Sequence, residues 1–347
     1  MGKITIQDVA THAGTSITTV SRVLSDPAYP VAPKTQERIR CAVKELGYIK
    51  SRRSFHYSRK RDIKEISVIL PTISNPFYVM AMAGIKSELQ NWGYNILLYD
   101  SFRSPENELS ILRSLRQKRI NGVILSTLQN DGVVLREFKN LGMNIILLDQ
   151  KLDNSGCDHI SFEYYEGVQQ AVHFLHSIGH REICFVTTPL TRWTRMETYS
   201  GYQQALADNG LKYAEELVLI AQVESESYDD LTYETRSGQL LAREFLARGA
   251  KGTAVICVND MVAFGFIQEL RENGVRVPED ISVVGFDDIP LAAIFFPSLT
   301  TVHCPAVECG RLSAQLILQK ITGDIHAGFN MKLNARLIKR NSTAQRK

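Results

Sequence analysis

From residue 65 onward, short apolar runs alternate with stretches of helical periodicity. Ile66–Leu70, Asn95–Tyr99, Gly122–Leu125 and Asn144–Leu148 are the first apolar runs, with helical patterns at about 78–92 and 105–118 between them. A second series follows: Glu182–Val186, Leu217–Ala221, Ala254–Val258 and Ile281–Val284, with helices near 164–178, 199–209, 237–247 and 261–273. Runs that are apolar on both faces and separated by helices predict parallel sheets covered on both sides. Two series rather than one long sheet predict two doubly wound lobes of the α/β class, alike in pattern without a close sequence repeat.

The first 48 residues follow a different, all-α pattern. Residues 5–14 read as a short helix that Thr5 can cap, with Asp8 suited to its positive N-terminus and Gly14 supplying a sharp turn. Ser16 can cap a second helix over 17–24. Val9, Ala10 and Ala13 make one apolar face, and Val20, Val23 and Leu24 another. A third helix follows, with Pro33 in its first turn and Ile39, Val43 and Leu46 on its buried side. Two short helices joined by a Gly-containing turn form a helix-turn-helix unit.

Charge separates the two regions. The 347 residues carry a formal net charge of +3. Residues 1–64 hold 13 Lys/Arg against 5 Asp/Glu, a balance of +8, and the remainder, with 27 against 32, stands at −5. A basic head on a mildly acidic body points the head at a polyanion; the bland reading is a charged, solvated tail. Composition, 44% hydrophobic and 22% charged, is that of an ordinary soluble protein. No run approaches a membrane span and no signal-type segment opens the chain, so a cytoplasmic location is expected. Six scattered cysteines without a C-x-x-C pair argue against both a zinc site and a disulfide framework. No cofactor is expected.

The chemistry of the head lies on the polar face of its second helix. Arg22 can donate twice to a guanine edge, and Ile17 and Thr18 can meet a thymine methyl. Thr5, Ser16, Thr19, Ser21, Lys34 and Thr35 are donors suited to phosphates, which position without reading sequence. In the body, parallel sheets bind ligands beyond the C-terminal ends of their strands. Those ends carry Asn75, Phe77, Tyr78, Asp100, Ser126, Asp149, residues 187–195 with Arg192 and Arg195, Asn259-Asp260 and Asp287-Asp288. Polar groups interleaved with aromatics suit a small polar ligand such as a sugar or nucleobase. Taken singly, each reads first as a helix cap or a satisfied loop group; as a set of strand ends they point to a cleft.

TIQDVATHAGTSITTVSRVL followed by PKTQERIRCAVKELGY resembles the headpiece of the lactose/galactose repressor family of bacterial transcription regulators. ISNPFY, SIGHREICFVTTP, VICVNDMVAFG, ISVVGFDDIP, PSLTTV and LIKRNS extend the resemblance across the chain. It implies a headpiece over 1–49, a hinge helix over 50–64 and an effector-binding, dimerising body over 65–347 with a periplasmic-binding-protein-like core. The expected lobes are about 65–162 with 297–325, and 163–294 with 326–347. It further implies a homodimer that reads a near-palindromic operator and repression under the control of a small-molecule effector. Catalysis is not expected, since no G-x-x-x-x-G-K-[ST], G-x-G-x-x-G or G-x-S-x-G motif occurs.

Several positions depart from the family. Ala32 stands where a capping Ser is usual. Thr198 replaces the Arg that commonly clamps the ligand, with Arg192 and Arg195 nearby. Glu163-Tyr164 replaces an Asp-Asn pair, and residues 222–238 are longer than usual. Asn259 and Asp287 do match ligand-binding positions. In the hinge, the minor-groove wedge falls on Tyr57, with Phe55 as the other candidate and Arg52, Arg53 and Arg59 as phosphate contacts. A segment so basic is expected to become helical only against DNA.

Three rival readings remain. Control by a corepressor or partner protein is one. A solute-binding protein without regulatory role is another, for which the head has no use. An enzyme would need Asp287-Asp288 as paired carboxylates, or His173-x-x-His176 as a metal half-site. Adjacent strand residues face opposite ways, and the His pair lies on an ordinary amphipathic helix without a third ligand.

Overall fold

A computed structural model describes residues 4–24, 30–46, 48, 64–222, 231–249, 251–324 and 328–346. The expected hinge contacts Arg52, Arg53, Phe55, Tyr57 and Arg59 lie outside the described residues. The chain forms two compact units, residues 1–62 and 63–347.

In the first unit, α1 (Ile6–His12), α2 (Ile17–Val23) and α3 (Pro33–Glu45) close on Val9, Ala10, Ala13, Val20, Val23, Ile39 and Ala42. Thr5 and Asp8 form a capping box, and Ser16 Oγ accepts from the Thr19 N–H, so both expected caps are present. Ala32 provides no side-chain cap for α3, which opens with Pro33 instead. The turn after α1 passes through Gly14 at φ +59°, and Arg38 of α3 reaches across to it. Its Nη2 donates to the carbonyls of Ala13 at 2.5 Å and Gly14 at 2.9 Å, with Nε adding a bond to Ala13 O at 3.1 Å. Arg38 therefore ties the helix-turn-helix turn to the third helix. Arg38→Met keeps the aliphatic stem and removes these bonds. It should cost the headpiece about 1 kcal/mol, read by thermal unfolding of the isolated N-terminal signal in a circular-dichroism melt.

In the second unit, the first lobe runs β1 (Glu65–Leu70), α4 (Pro76–Asn91), β2 (Asn95–Asp100), α5 (Pro105–Gln117), β3 (Gly122–Leu125), α6 (Gly132–Asn140), β4 (Asn144–Leu148) and β5 (Asp158–Phe162). The second lobe runs α7 (Tyr164–Ser177), β6 (Ile183–Thr187), α8 (Trp193–Asp208), β7 (Val218–Ile220), α9 (Tyr233–Ala247), β8 (Ala254–Cys257), α10 (Asp260–Glu272), β9 (Ser282–Asp287), α11 (Pro290–Ile294) and β10 (Thr300–His303). After α12 (Ala306–Thr322) come β11 (Asn330–Leu333) and β12 (Arg336–Ile338). The two sheets have orders β11-β5-β4-β3-β1-β2 and β12-β10-β9-β8-β6-β7, parallel except for β12 against β10.

Two expected lobe assignments are corrected by this pairing. Residues 300–303 were expected in the first lobe, yet β10 lies parallel to β9 in the second sheet. Residues 330–333 were expected in the second lobe, yet β11 lies parallel to β5 in the first. The chain thus crosses between lobes after β5, after β10 and after β11. Strands this short carry no local mark of which sheet they complete; hydrogen bonds to residues far away in the chain decide it. Two helices also begin earlier than their periodicity indicates, α8 at Trp193 rather than 199 and α9 at Tyr233 rather than 237. Both extensions lie at the cleft.

Glycines set the closest helix contacts in each lobe. A Cβ on Gly84 of α4 would lie 1.9 Å from Val307 O on α12, and one on Gly310 would lie 2.0 Å from Ala81 O. In the second lobe, a Cβ on Gly265 of α10 would lie 1.9 Å from Thr235 O, and one on Gly238 of α9 would lie 2.1 Å from Val262 O. Backbone thus packs on backbone at both crossings. The second crossing fixes the first turn of α9, where it will matter.

Candidate nucleic-acid interface and ligand cleft

On the headpiece, Ile17 is 41% exposed, and Thr18 and Arg22 are exposed beside it on α2. Lys34 is also exposed, while Thr19, Ser21 and Thr35 are half-buried. Three of the expected phosphate donors already have work within the fold. The Thr5 hydroxyl donates to Asp8 Oδ2 at 2.7 Å, and Ser16 Oγ lies 2.8 Å from Thr19 Oγ1. Capping turns these hydroxyls inward along their own helices. The outward face of α2 is therefore Ile17, Thr18 and Arg22, a combination suited to base edges.

In the body, strand order reverses between β3 and β1 in one sheet and between β8 and β6 in the other. Helices starting at such a reversal diverge and leave a crevice at the strand ends. Asn75 caps α4, Arg192 precedes α8 and Asn259 caps α10, which brings all three expected residues to it. Arg192 Nη1 donates to Tyr78 OH and Nη2 to Ser126 Oγ, both at 3.0 Å, so a second-lobe guanidinium holds two first-lobe hydroxyls. Its Nε is buried without a hydrogen-bond partner among the described residues. Arg195 Nε donates to Thr188 Oγ1 at 3.2 Å within its own lobe. Thr198, where the family commonly has its clamp, bonds back to Thr194 O at 2.8 Å and is buried. Phe77, expected at the cleft, instead packs into the core, its ring edge-on to Tyr78 and Phe162.

The acidic residues sit on strained backbone under the cleft. Asp149 has φ +57° and Asp287 φ +104°, a region that Asp tolerates better than most residues. Tyr164 OH donates to Asp149 Oδ1 at 2.5 Å, and burial pushes the Asp149 carboxyl up to about 6. Burial also drives Asp287 well above the usual carboxylate range, with the neighbouring Asp260 charge adding to it. Asp287 has no side-chain hydrogen bond among the described residues and remains available to a ligand. Asp288 turns away to Arg340 at 2.7 Å and His303 at 2.9 Å, so the two carboxylates do not converge. His173 and His176 each meet Asn209 Oδ1 at 3.2 Å, and no group of three metal-ligating side chains occurs among the described residues.

Asp260 points into the second lobe. Its carboxyl takes the Thr301 hydroxyl at 2.5 Å and the Ile289 N–H at 2.9 Å, and burial pushes it up to about 7. A folded-state pKa raised above the unfolded value means its stabilising contribution is full below about 4 and is lost as pH rises through about 7. Asp260→Asn mimics the protonated acid. The variant should match the parent at or below about pH 4 and exceed its melting temperature by a margin that grows up to about pH 7, with Asp149 titrating in both and cancelling.

Several cleft residues were not anticipated. Glu234 in the first turn of α9 accepts from Asn75 Nδ2 and Asn259 Nδ2, each at 2.9 Å. Arg103 lies 4.7 Å from the Tyr233 ring centroid, and Gln150 Nε2 reaches Thr194 Oγ1 at 3.4 Å. Tyr164, stacked on Phe286 at 5.7 Å and edge-on to Trp193, is buried and holds Asp149 through its hydroxyl. The available signal was departure from pattern: Tyr164 lies in the altered pair, and Tyr233 and Glu234 lie in the lengthened segment.

Residues 5–51 match the family model described as bacterial regulatory proteins, lacI family. Residues 64–341 match the one described as periplasmic binding proteins and sugar binding domain of LacI family. The chain is 31% identical over 341 residues to the HTH-type transcriptional regulator RegA of Clostridium saccharobutylicum, covering 97% of this chain and 98% of that protein. It is similar to the transcriptional regulator CelR in its cellobiose complex, with a TM-score of 0.72, 27% identity and coverage of 98% and 99%. It is equally similar to the Lac repressor dimer bound to operator and the anti-inducer ONPF, with a TM-score of 0.71, 27% identity and coverage of 99% and 100%.

Proposed function

Since the chain belongs to the lacI family of bacterial regulatory proteins, we propose that Ile17, Thr18 and Arg22 read operator bases and that the crevice lined by Asn75, Tyr78, Ser126, Asp149, Arg192, Arg195, Asn259 and Asp287 holds its effector. The protein is a DNA-binding transcriptional regulator, of a family of repressors, whose operator affinity is controlled by a small molecule. It acts as a dimer on operator DNA, as the Lac repressor relative does. The relatives are transcriptional regulators, and we read this chain as non-catalytic and cytoplasmic. Among the described residues, no helix is long and apolar enough to cross a membrane.

One observation carries the effector reading: Arg192 of the second lobe donates to Tyr78 and Ser126 of the first, and Glu234 of the second accepts from Asn75 of the first, so hydrogen bonds join the lobes at the strand-order reversals. A ligand entering there must exchange with those bonds and so changes the balance between lobe arrangements. Such a ligand controls DNA only if it binds the two arrangements with different free energies. The relatives' ligands include cellobiose, which makes a sugar or related metabolite the first class to screen. Thermal-shift screening followed by operator titration tests the proposal. The expected result is a ligand whose stabilisation is lost in Asp287→Asn and which changes operator affinity; one that binds the cleft and leaves operator affinity unchanged refutes the coupling.

A further inference from the structure

Two asparagines cap helices that enter the cleft from opposite lobes, and capping decides which half of each amide is left over. Asn75 Oδ1 accepts from the Phe77 N–H at 2.9 Å, and Asn259 Oδ1 accepts from the Val262 N–H at 2.8 Å. A cap must accept, so each amide is fixed with its NH2 directed away from its own helix. Both NH2 groups end on one carboxylate, Glu234, each at 2.9 Å. Asn259 and Glu234 share the second lobe, so that bond aims the carboxylate, while the bond from Asn75 spans the cleft. The backbone contact of α9 on α10 at Gly238 and Gly265 leaves the carrier helix little freedom to shift.

We propose that Glu234 is a built-in latch, a carboxylate aimed by one lobe that captures the capping amide of the other and closes the body before any ligand enters. This goes beyond control by an effector, because the closing bonds are made by the protein's own residues. A ligand's apparent affinity then depends on the fraction of molecules already in the arrangement it binds. Arg192 on Tyr78 and Ser126, and Arg103 against Tyr233, act in the same direction across the cleft.

Hydrogen–deuterium exchange on the full-length, ligand-free protein tests the latch. Glu234→Gln sets an NH2 against one of two NH2 groups that cannot turn. Asn75→Asp keeps a competent cap but sets a carboxylate against Glu234. Each single variant should speed exchange of the cleft segment 126–130 roughly tenfold, the equivalent of losing one charge-assisted hydrogen bond. The Asn75→Asp/Glu234→Gln double variant restores a donor to every acceptor: the new amide donates to the new carboxylate and accepts from Asn259. Its exchange should return to within about threefold of the parent. Protection within α4 reports the cap and should hold in all three variants. Parent exchange as fast as that of the single variants, or a double variant no slower than they are, overturns the latch. No ligand is present, so this outcome is separate from failure of the effector reading, which the ligand screen decides.

Discussion

Gly84→Ala should destabilise the body by about 3–5 kcal/mol, among the largest effects expected of a single methyl group in this chain. The added Cβ would meet Val307 O at 1.9 Å and Arg311 N at 2.8 Å, both backbone atoms that cannot rotate aside. Relief requires α4 and α12 to separate, and α12 also covers β3, β4 and β5 of the first lobe. Asn75 and Tyr78 ride on the start of α4, so cleft geometry should fail together with stability. Gly93→Ala is the control: it adds a methyl at φ +71° with nothing within 4 Å, and should cost only the left-handed strain of about 1–2 kcal/mol. Urea unfolding of the three proteins reads the difference. Equal losses for the two variants would mean the helix crossing relaxes at little cost and does not hold the lobe.

The second large effect is on DNA. Arg22→Ala should weaken binding to the cognate operator by about 1–3 kcal/mol, or roughly 5- to 150-fold, and relax discrimination at one base pair of each half-site. Arg22 stands exposed on the outward face of α2 beside Ile17 and Thr18. Nonspecific DNA should lose much less, because phosphate contacts by Lys34 and its neighbours remain. Fluorescence anisotropy titrations on operator and scrambled duplex across a salt series separate the two terms. Equal loss on both duplexes would make Arg22 a phosphate contact and remove it from base reading.

Control of the headpiece by the cleft requires that the cleft respond to its occupant. The buried carboxyls make that response sensitive to hydrogen-bonding chemistry. Asp287, held above the usual carboxylate range by burial, can donate to a ligand as well as accept. Arg192 has an unused Nε directed nowhere else among the described residues. A ligand that supplies an acceptor to one and a matched partner to the other gains both bonds, whereas an apolar compound of the same size leaves both groups unsatisfied.

Much of this was legible along the chain because it is local. Apolar runs bounded by helical periodicity marked eight strands, and Thr5 and Ser16 read as caps since a cap serves a residue three positions away; Asn75 and Asn259, read as cleft residues with capping as the bland alternative, cap their helices as well. The polar face of α2 followed from its 3.6-residue period. Departures at 163–164 and within 222–238 marked where the cleft would differ, though not how. What tertiary structure alone decided is long-range. Strands β10 and β11 exchange lobes because sheet pairing partners lie far off in the chain. Phe77 turns into the core although its neighbour Tyr78 lines the cleft. Glu234 gains its role from two amides, 159 and 25 positions away, that capping had already oriented. Caps and periods are determined by neighbours in sequence; which carboxylate meets a capped amide is determined by the packing of α9 on α10, and only the folded chain brings those together.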